Sequence, residues 1–402
     1  MRILTMTSVF PSPVQPHYAP YNRHQLAALT GRHEVRVINP ILWTVELGAR
    51  WRGKAALPDD RRSTVDGIPV EHPRYWYPPK VLRGWYGHCY RRSVRRAFDR
   101  AVANFRPDLV FAPWAYPDGW AAVRLGARAN LPVVVKLHGS DVRLAGQFAG
   151  RVGQTARAVC QADGVVAVSQ DLANHADGLG ADPRRIRVVY DGVDASVFRP
   201  GSLAASRKRL GLPADGNILL FIGNLVPVKG LDVLIRACGR LARAGTEFTC
   251  LMIGQGPLRA SLERQAAAEG LRDRVRLLGS KPHADLADWY RAANLFVLSS
   301  HSEGVPCVLL EAAACGTPFV ASRVGGIPEI AHFGPSRLVP PGNPDELARA
   351  IAASLAGPTR SVRPFPPMRA HADAAADLEA FFNEVVRDYH AARDRAAPAL
   401  AA

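Results

Sequence analysis

The run ILLFIG at 218–223, followed by LDVLIRACGRLARAG at 231–245 and FTCLMIG at 248–254, places a helix-length segment between two short apolar stretches. Apolar runs this short and this uninterrupted read as strands buried on both faces, which belong to parallel sheets covered by helices. The alternation continues through LRASLERQAAAEG, VRLLG at 275–279, NLFVLS at 294–299 and TPFVAS at 317–322. It also extends backwards, through ILTM at 3–6, VRVI at 35–38, DLVF at 108–111, VVVKL at 133–137, GVVAV at 164–168 and IRVV at 186–189. Between the two series lies VDASVFRPGS, after which the pattern restarts.

The expected fold is therefore α/β, with two Rossmann-like, doubly wound parallel-sheet domains facing a central cleft. The sequence divides into one such domain at 1–200 and a second at 201–370. A helix over 371–392 is expected to pack back toward the first domain, with a frayed tail at 393–402. Ligands of such sheets sit beyond the carboxyl ends of the strands, where HGSD, GNLVPVKG, GQGP, GSKPH and SSHSEG stand in this chain.

Composition narrows the class. A chain of 402 residues, 48% hydrophobic and 21% charged, has room for two buried cores. Its six cysteines occur singly, with no CxxC pair and no Cys/His cluster at metal-ligand spacing, so they read as reduced thiols. No apolar run is long enough to span a bilayer, and MRILTMTSVF reads as a buried strand rather than a leader; the expected location is the cytoplasm. The formal charge of +16 predicts attraction to something anionic. No recognition helix, zinc finger or aromatic RNA-binding motif accompanies it, so nucleic acid is not an expected partner.

EGVPCVLLEAAACG, 303–316, sets two carboxylates eight positions apart around a proline. Pro306 suits the first position of a helix running to about Cys315 and closing at Gly316. The amides of Cys307, Val308 and Leu309 then open a helix whose dipole and free N–H groups favour phosphate, with Gly304 and Val305 just ahead of it as further donor-binding candidates. Carboxylates are poor phosphate ligands but good acceptors for hydroxyls. A nucleotide-sugar carries hydroxyls on both sides of its diphosphate, and the spacing of Glu303 and Glu311 suits one glutamate for each. Two glutamates at this spacing would often arise by chance, but an unpartnered acid in so apolar a helix has little other reason to exist.

SEGVPCVLLEAAACGTPFVASRVGGIPEI resembles the glutamate-x7-glutamate signature of the retaining glycosyltransferases of family four, which have the GT-B fold. The likeness extends over FPSPVQPHYAPYNRHQLAAL, LHGSD at 137–141, VVYDGVDASVFRP at 188–200, GNLVPVKGLDVLIRA at 223–237 and IGQGPLRASLE at 253–263. It implies an acceptor-binding first domain and a nucleotide-sugar-binding second domain, with transfer of a sugar from the nucleotide-sugar donor to a hydroxyl of a glycan or lipid-linked acceptor. A role in cell-surface polysaccharide or glycolipid synthesis is expected from the basic, aromatic region and the lack of a secretion signal. A nucleotide-sugar epimerase or hydrolase on the same fold is the alternative.

The resemblance also implies roles. Lys229 would hold the donor diphosphate, with Gly223 and Gly230 allowing close approach and Gly254 and Lys281 lining the same site. Glu303 would bind hydroxyls of the donor sugar and Glu311 the ribose, with GQGP and GSKPH forming part of the base pocket. His138 would lie near the reacting sugar, and Asp141 would either fix its tautomer or contact the acceptor. Arg23 and His24 are candidate acceptor contacts, and Ser8 to Tyr21 would line the cleft. No metal and no cofactor are expected, because GT-B transferases use helix dipole and basic side chains in their place.

The chain departs from the family in two places. Asn224 stands where an arginine is often found, and Ala19-Pro20 where the first loop commonly has glycine.

From Arg50 to Arg106 there are 14 Lys/Arg against 5 Asp/Glu, a surplus of nine. Within this stretch Trp85, Tyr86, Tyr90, Val94, Ala97, Phe98 and Phe105 recur at helical steps, with Arg91, Arg92, Arg95, Arg96 and Arg100 between them. This is a basic amphipathic helix. Its apolar face fits a sheet, and the aromatic segment leading into it fits the anionic inner face of the plasma membrane.

Overall fold

The structure is a computed structural model and describes residues 1–16, 18–51, 53, 56–79, 81–147, 150–357 and 368–401. His17 of the first loop, Arg52, Lys54 and Lys80 of the basic stretch, and Ala402 of the tail lie outside these. The chain forms two compact units, Met1–Asp191 with His371–Ala402, and Gly192–Ala370. The division falls ahead of the boundary read at 200. The reason is local: Asp191 is tied to Lys136 within the first unit, at 2.6 Å.

The first unit is built on an eight-stranded sheet. From one edge to the other it runs Ile186–Val188, Gly164–Ala167, Val133–Leu137, Leu109–Ala112, Arg2–Met6, Glu34–Ile38, Ile68–Glu71 and Arg62–Val65. Every pair is parallel except the last. That antiparallel edge was not read from the sequence, although Asp66 and Gly67, both at positive φ, form the tight turn that such a dipeptide favours. Strand order reverses at Arg2–Met6, whose neighbours are Leu109–Ala112 and Glu34–Ile38.

The helix His371–Ala401 belongs to this unit, and it continues beyond the 392 at which the sequence reading ended it. Leu378, Phe381, Phe382 and Val385 join Ile3, Leu26, Phe111 and Val166 in one core. The ring of Phe382 lies 5.1 Å from that of Phe111.

The second unit has six strands, all parallel, in the order Val275–Gly279, Thr249–Ile253, Ile218–Ile222, Leu295–Leu298, Phe319–Ser322 and Ser336–Val339. Here the order reverses at Ile218–Ile222, between Thr249–Ile253 and Leu295–Leu298. The segments leaving the carboxyl ends of the two strands at a reversal diverge, which makes that point the natural ligand site of an open α/β sheet.

Candidate active site

In the second unit, Lys229 follows the Ile218–Ile222 strand and Glu303 follows Leu295–Leu298, so the two arrive from the neighbouring strands at the reversal. Lys229 Nζ donates to Glu303 Oε1 at 2.6 Å, and Ser300 Oγ donates to the same oxygen at 2.6 Å. Glu303 Oε2 has no protein partner among the described residues, and an ammonium with three donors has spent one of them here. The pair can therefore hold a hydroxyl on the carboxylate and a phosphate on the ammonium at once.

The two loops are fixed against each other by backbone. Gly230 is in the left-handed region at φ 58, and a Cβ there would come 2.1 Å from Ser299 O. Ser299 Oγ donates to the carbonyls of Lys229 and Gly230 at 3.1 and 2.8 Å. The close approach expected of Gly230 is thus to the neighbouring loop. Gly223 and Gly254 meet in the same way, since a Cβ on Gly254 would stand 1.8 Å from Gly223 O.

The helix after Glu303 spans Cys307–Ala314, with Pro306 as its N-cap at φ −76, ψ 112. This corrects the reading of Pro306 as the first helical residue: its φ suits a helix, but its ψ is extended. No side chain caps this end, so the Val308 amide keeps one of the donors that a helix start leaves over. Behind it Gly304 O accepts from Gly326 N at 2.9 Å, and Leu309 N turns back to Pro306 O at 2.9 Å.

Glu311 is buried, and both of its oxygens have protein partners. His283 Nε2 lies 2.8 Å from Oε1, and the Tyr290 hydroxyl donates to Oε2 at 2.8 Å. The acid that looked unpartnered in sequence is held by a histidine from GSKPH and by a wholly buried tyrosine. Burial, then the charge of Glu311, pushes the Tyr290 phenol upward, which keeps it a donor. Asn224 is exposed, and Lys281 lies 5.7 Å over the ring of Trp289.

In the first unit, His138 leaves the Val133–Leu137 strand with its ring 4.8 Å from Tyr21 and 6.1 Å from Trp114. Burial, and after it the charge of Lys136, lowers its pKa to about 3, so the imidazole is neutral. Its Nε2 is shut off from water without a hydrogen-bond partner among the described residues. Asp141 does not fix the His138 tautomer. Its carboxylate accepts from the amides of His138 and Gly139, at 3.1 and 2.8 Å, and of Ala115 at 3.1 Å, which staples the loop.

Arg23, expected as an acceptor contact, instead makes a two-pronged ion pair with Asp66 at 2.6 and 2.7 Å. His24 lies 5.1 Å from the ring of His371.

Two buried groups escaped the sequence reading. Lys136, inside an apolar strand, pairs with Asp191 and donates to Gln25 at 3.1 Å. Asp118, fully buried, accepts from the Ser8 amide at 2.7 Å and from the Ser8 hydroxyl at 3.0 Å. Ser8 follows the first strand and Asp118 follows Leu109–Ala112, so this contact spans the reversal of the first sheet. Burial lifts the Asp118 pKa to about 7.

Two profiles match the chain along most of its length: "Glycosyl transferases group 1" at residues 204–372 and "Glycosyltransferase Family 4" at 20–197. D-inositol 3-phosphate glycosyltransferase 1 of Catenulispora acidiphila is 32% identical over 322 residues, covering 73% of this chain and 74% of that protein. The chain belongs to glycosyltransferase family four. A second member, TuaC of Bacillus subtilis, named for teichuronic acid biosynthesis, is 31% identical over 360 residues, 87% of this chain and 88% of its own. Further proteins of the first name match over about half of their own length. The fold of the family is the GT-B fold. Anabaena HepE, solved in complex with UDP-glucose, superposes with a TM-score of 0.67 at 20% identity, covering 98% of this chain and 100% of that one.

Proposed function

We propose that this family-four enzyme moves a hexosyl group from a nucleotide-sugar to a hydroxyl of a glycan or lipid-linked acceptor, with retention of anomeric configuration and without a metal. The observation that carries the reading is the Lys229–Glu303 pair at the strand reversal, beside the uncapped helix start at Cys307. Glu303 accepts from donor-sugar hydroxyls. Lys229 and the helix amides take the charge that develops on the departing diphosphate, the task that a metal performs elsewhere.

The bond from the anomeric carbon to the diphosphate oxygen breaks as that carbon gains a bond to the acceptor oxygen on the same face. The acceptor's proton passes to the departing phosphate. His138, neutral and with a buried nitrogen unsatisfied, orients a hydroxyl by hydrogen bonding. The ribose is read beside Glu311 and His283.

Cell-surface polysaccharide or glycolipid synthesis, at the inner face of the membrane, suits such an acceptor. Of the two relatives, one is named for an inositol phosphate and one for teichuronic acid biosynthesis, so hydroxyl-bearing acceptors of both kinds belong in the acceptor screen. A uridine donor comes first in a screen, because the superposable HepE was solved with UDP-glucose.

The test is binding and turnover of UDP-, GDP-, ADP- and dTDP-sugars in the presence of a chelator, with Lys229→Ala and Glu303→Gln beside the wild type. One donor class should bind, insensitive to chelator and weakened by both substitutions, and its product should keep the donor's anomeric configuration by NMR. Binding that both variants retain, or that the chelator abolishes, would defeat the proposal.

A further inference from the structure

Three helices of the first unit, Tyr86–Phe105, Trp120–Ala129 and Arg151–Gln161, pack side by side. From His72 to Phe98 the chain carries no aspartate or glutamate, and neither of the other two helices has one. Arg91, Arg92 and Arg157 are exposed and have no acidic partner among the described residues. Arg91, Arg124 and Arg157 stand close enough for their charges to act on one another: burial, then Arg157 and Arg91, lower the proton affinity of the Arg124 guanidinium. Like charges gathered in this way, with no acidic partner for these three among the described residues, are relieved by an external anion.

Apolar side chains are exposed beside this cluster. Trp76 is 57% exposed, Val81 56%, Leu82 64% and Trp85 63%. They connect to the arginines through a chain of rings, from Trp85 to His88 at 5.7 Å, His88 to Trp120 at 4.5 Å, and Arg124 over Trp120 at 3.7 Å. Trp76 adjoins the same helix, its amide donating to Ser93 Oγ at 3.2 Å between Arg92 and Arg96. Val152, also exposed, comes from a third segment: the Gly150 backbone reaches Gly84, where a Cβ on Gly150 would lie 3.7 Å from the Gly84 Cα.

Leu82 adds a separate observation. It holds φ 48, a left-handed conformation that costs a bulky residue energy, while its side chain gains little burial in return. The fold itself would be better served there by glycine or asparagine.

We infer that this face seats on an anionic lipid bilayer, with Trp76, Val81, Leu82, Trp85 and Val152 entering the interfacial layer and Arg91, Arg92, Arg96, Arg124 and Arg157 meeting the headgroups. Indole and branched aliphatic groups ringed by arginine match the bilayer boundary, where an apolar body and a hydrated anionic layer lie within one side-chain length. A nucleic acid would use the arginines but leave Val81, Leu82 and Val152 in water. The inference rests on the proposed lipid-linked acceptor only for its purpose; the surface is defined without it.

The experiment is flotation of the full chain with vesicles of phosphatidylcholine alone and of phosphatidylcholine with an equal part of phosphatidylglycerol, at low and high salt. Binding is expected to the anionic vesicles only, weakening with salt and accompanied by a blue shift of tryptophan emission. Leu82→Asn with Trp85→Ser should reduce binding at least tenfold while the thermal midpoint stays level or rises. Arg91→Gln with Arg157→Gln should cost about fivefold per arginine. Lys208→Gln with Arg272→Gln, which removes the same charge from exposed positions of the other unit, should leave binding unchanged.

Absence of binding to anionic vesicles would overturn the inference. So would equal loss in the charge control, or tight retention of duplex DNA that the Leu82 and Trp85 changes do not touch. No donor is present in these assays. Nucleotide-sugar binding by the same variants therefore separates failure of this surface from failure of the proposed transfer reaction.

Discussion

Lys229 Nζ stands 2.6 Å from Glu303 Oε1 although 74 residues separate them in sequence. Each holds the other in place, so truncating either one disturbs both. Lys229→Ala should lower kcat/KM by about 10²–10³-fold, the range seen when a group that stabilises developing charge is lost. Glu303→Gln should act mainly on the sugar. In a double-mutant cycle read by steady-state kinetics, the double variant should lose less than the sum of the two single losses in free energy.

Tyr290→Phe would leave Glu311 Oε2 buried without its donor. A loss of about 1–3 kcal/mol is expected in urea unfolding. Donor affinity should change less than stability. Glu311→Ala, by contrast, strips partners from both His283 and Tyr290, and its effects on binding would be mixed with effects on the fold.

The Lys136–Asp191 pair is buried, and breaking it from one side leaves an uncompensated charge. Lys136→Met alone should cost about 3–5 kcal/mol, and adding Asp191→Asn should restore part of that. Although burial opposes its ionisation, Asp191 has a lowered pKa because the charge and hydrogen bond of Lys136 outweigh that cost. Its contribution is therefore present above the ordinary carboxylate pKa and lost as pH falls through the folded value. Acid unfolding followed by circular dichroism should show the double variant to be less acid-sensitive than the wild type.

Asp118 has the opposite sign. Its pKa rises from 3.8 to about 7 on folding, so the folded state keeps a proton that the unfolded chain releases between those values. Its stabilising contribution is complete below pH 3.8 and is lost as pH rises through about 7. The gap corresponds to at most about 4 kcal/mol. Denaturant midpoints measured from pH 4 to 8 should fall across this window in the wild type and run flatter in Asp118→Asn, which can still accept from Ser8.

Gly230→Ala should be strongly destabilising or fail to fold, because its Cβ meets the Ser299 carbonyl backbone and φ is positive. Soluble yield and thermal midpoint provide the readout. Gly245→Ala, also at positive φ but with open space around it, serves as the comparison.

The inner strands of both sheets were legible because burial on two faces leaves an uninterrupted apolar run, as ILLFIG and GVVAV show, whereas Arg62–Val65, Ile68–Glu71 and Ser336–Val339, at or next to a sheet edge, were not read. Lys229 and Glu303 were legible as types of residue at strand ends, but not as a bonded pair, since their contact depends on strand order rather than on local sequence. Asp118 was hidden for the same reason: its partner Ser8 lies 110 residues away. Lys136 sat in a run whose neighbours argued for an apolar core, and nothing nearby announced Asp191. Pro306 was misplaced by one position because its ring fixes φ and leaves ψ to its surroundings.

The helix that begins at His371 supplies Ala375, Leu378, Phe381, Phe382 and Val385 to a core whose other members come from the first 189 residues. During synthesis the first sheet therefore waits, with that face uncovered, until more than 370 residues have left the ribosome. The unit from Gly192 to Ala370 is continuous in sequence and includes no segment made after it. The part translated second can thus close its own core before the part translated first.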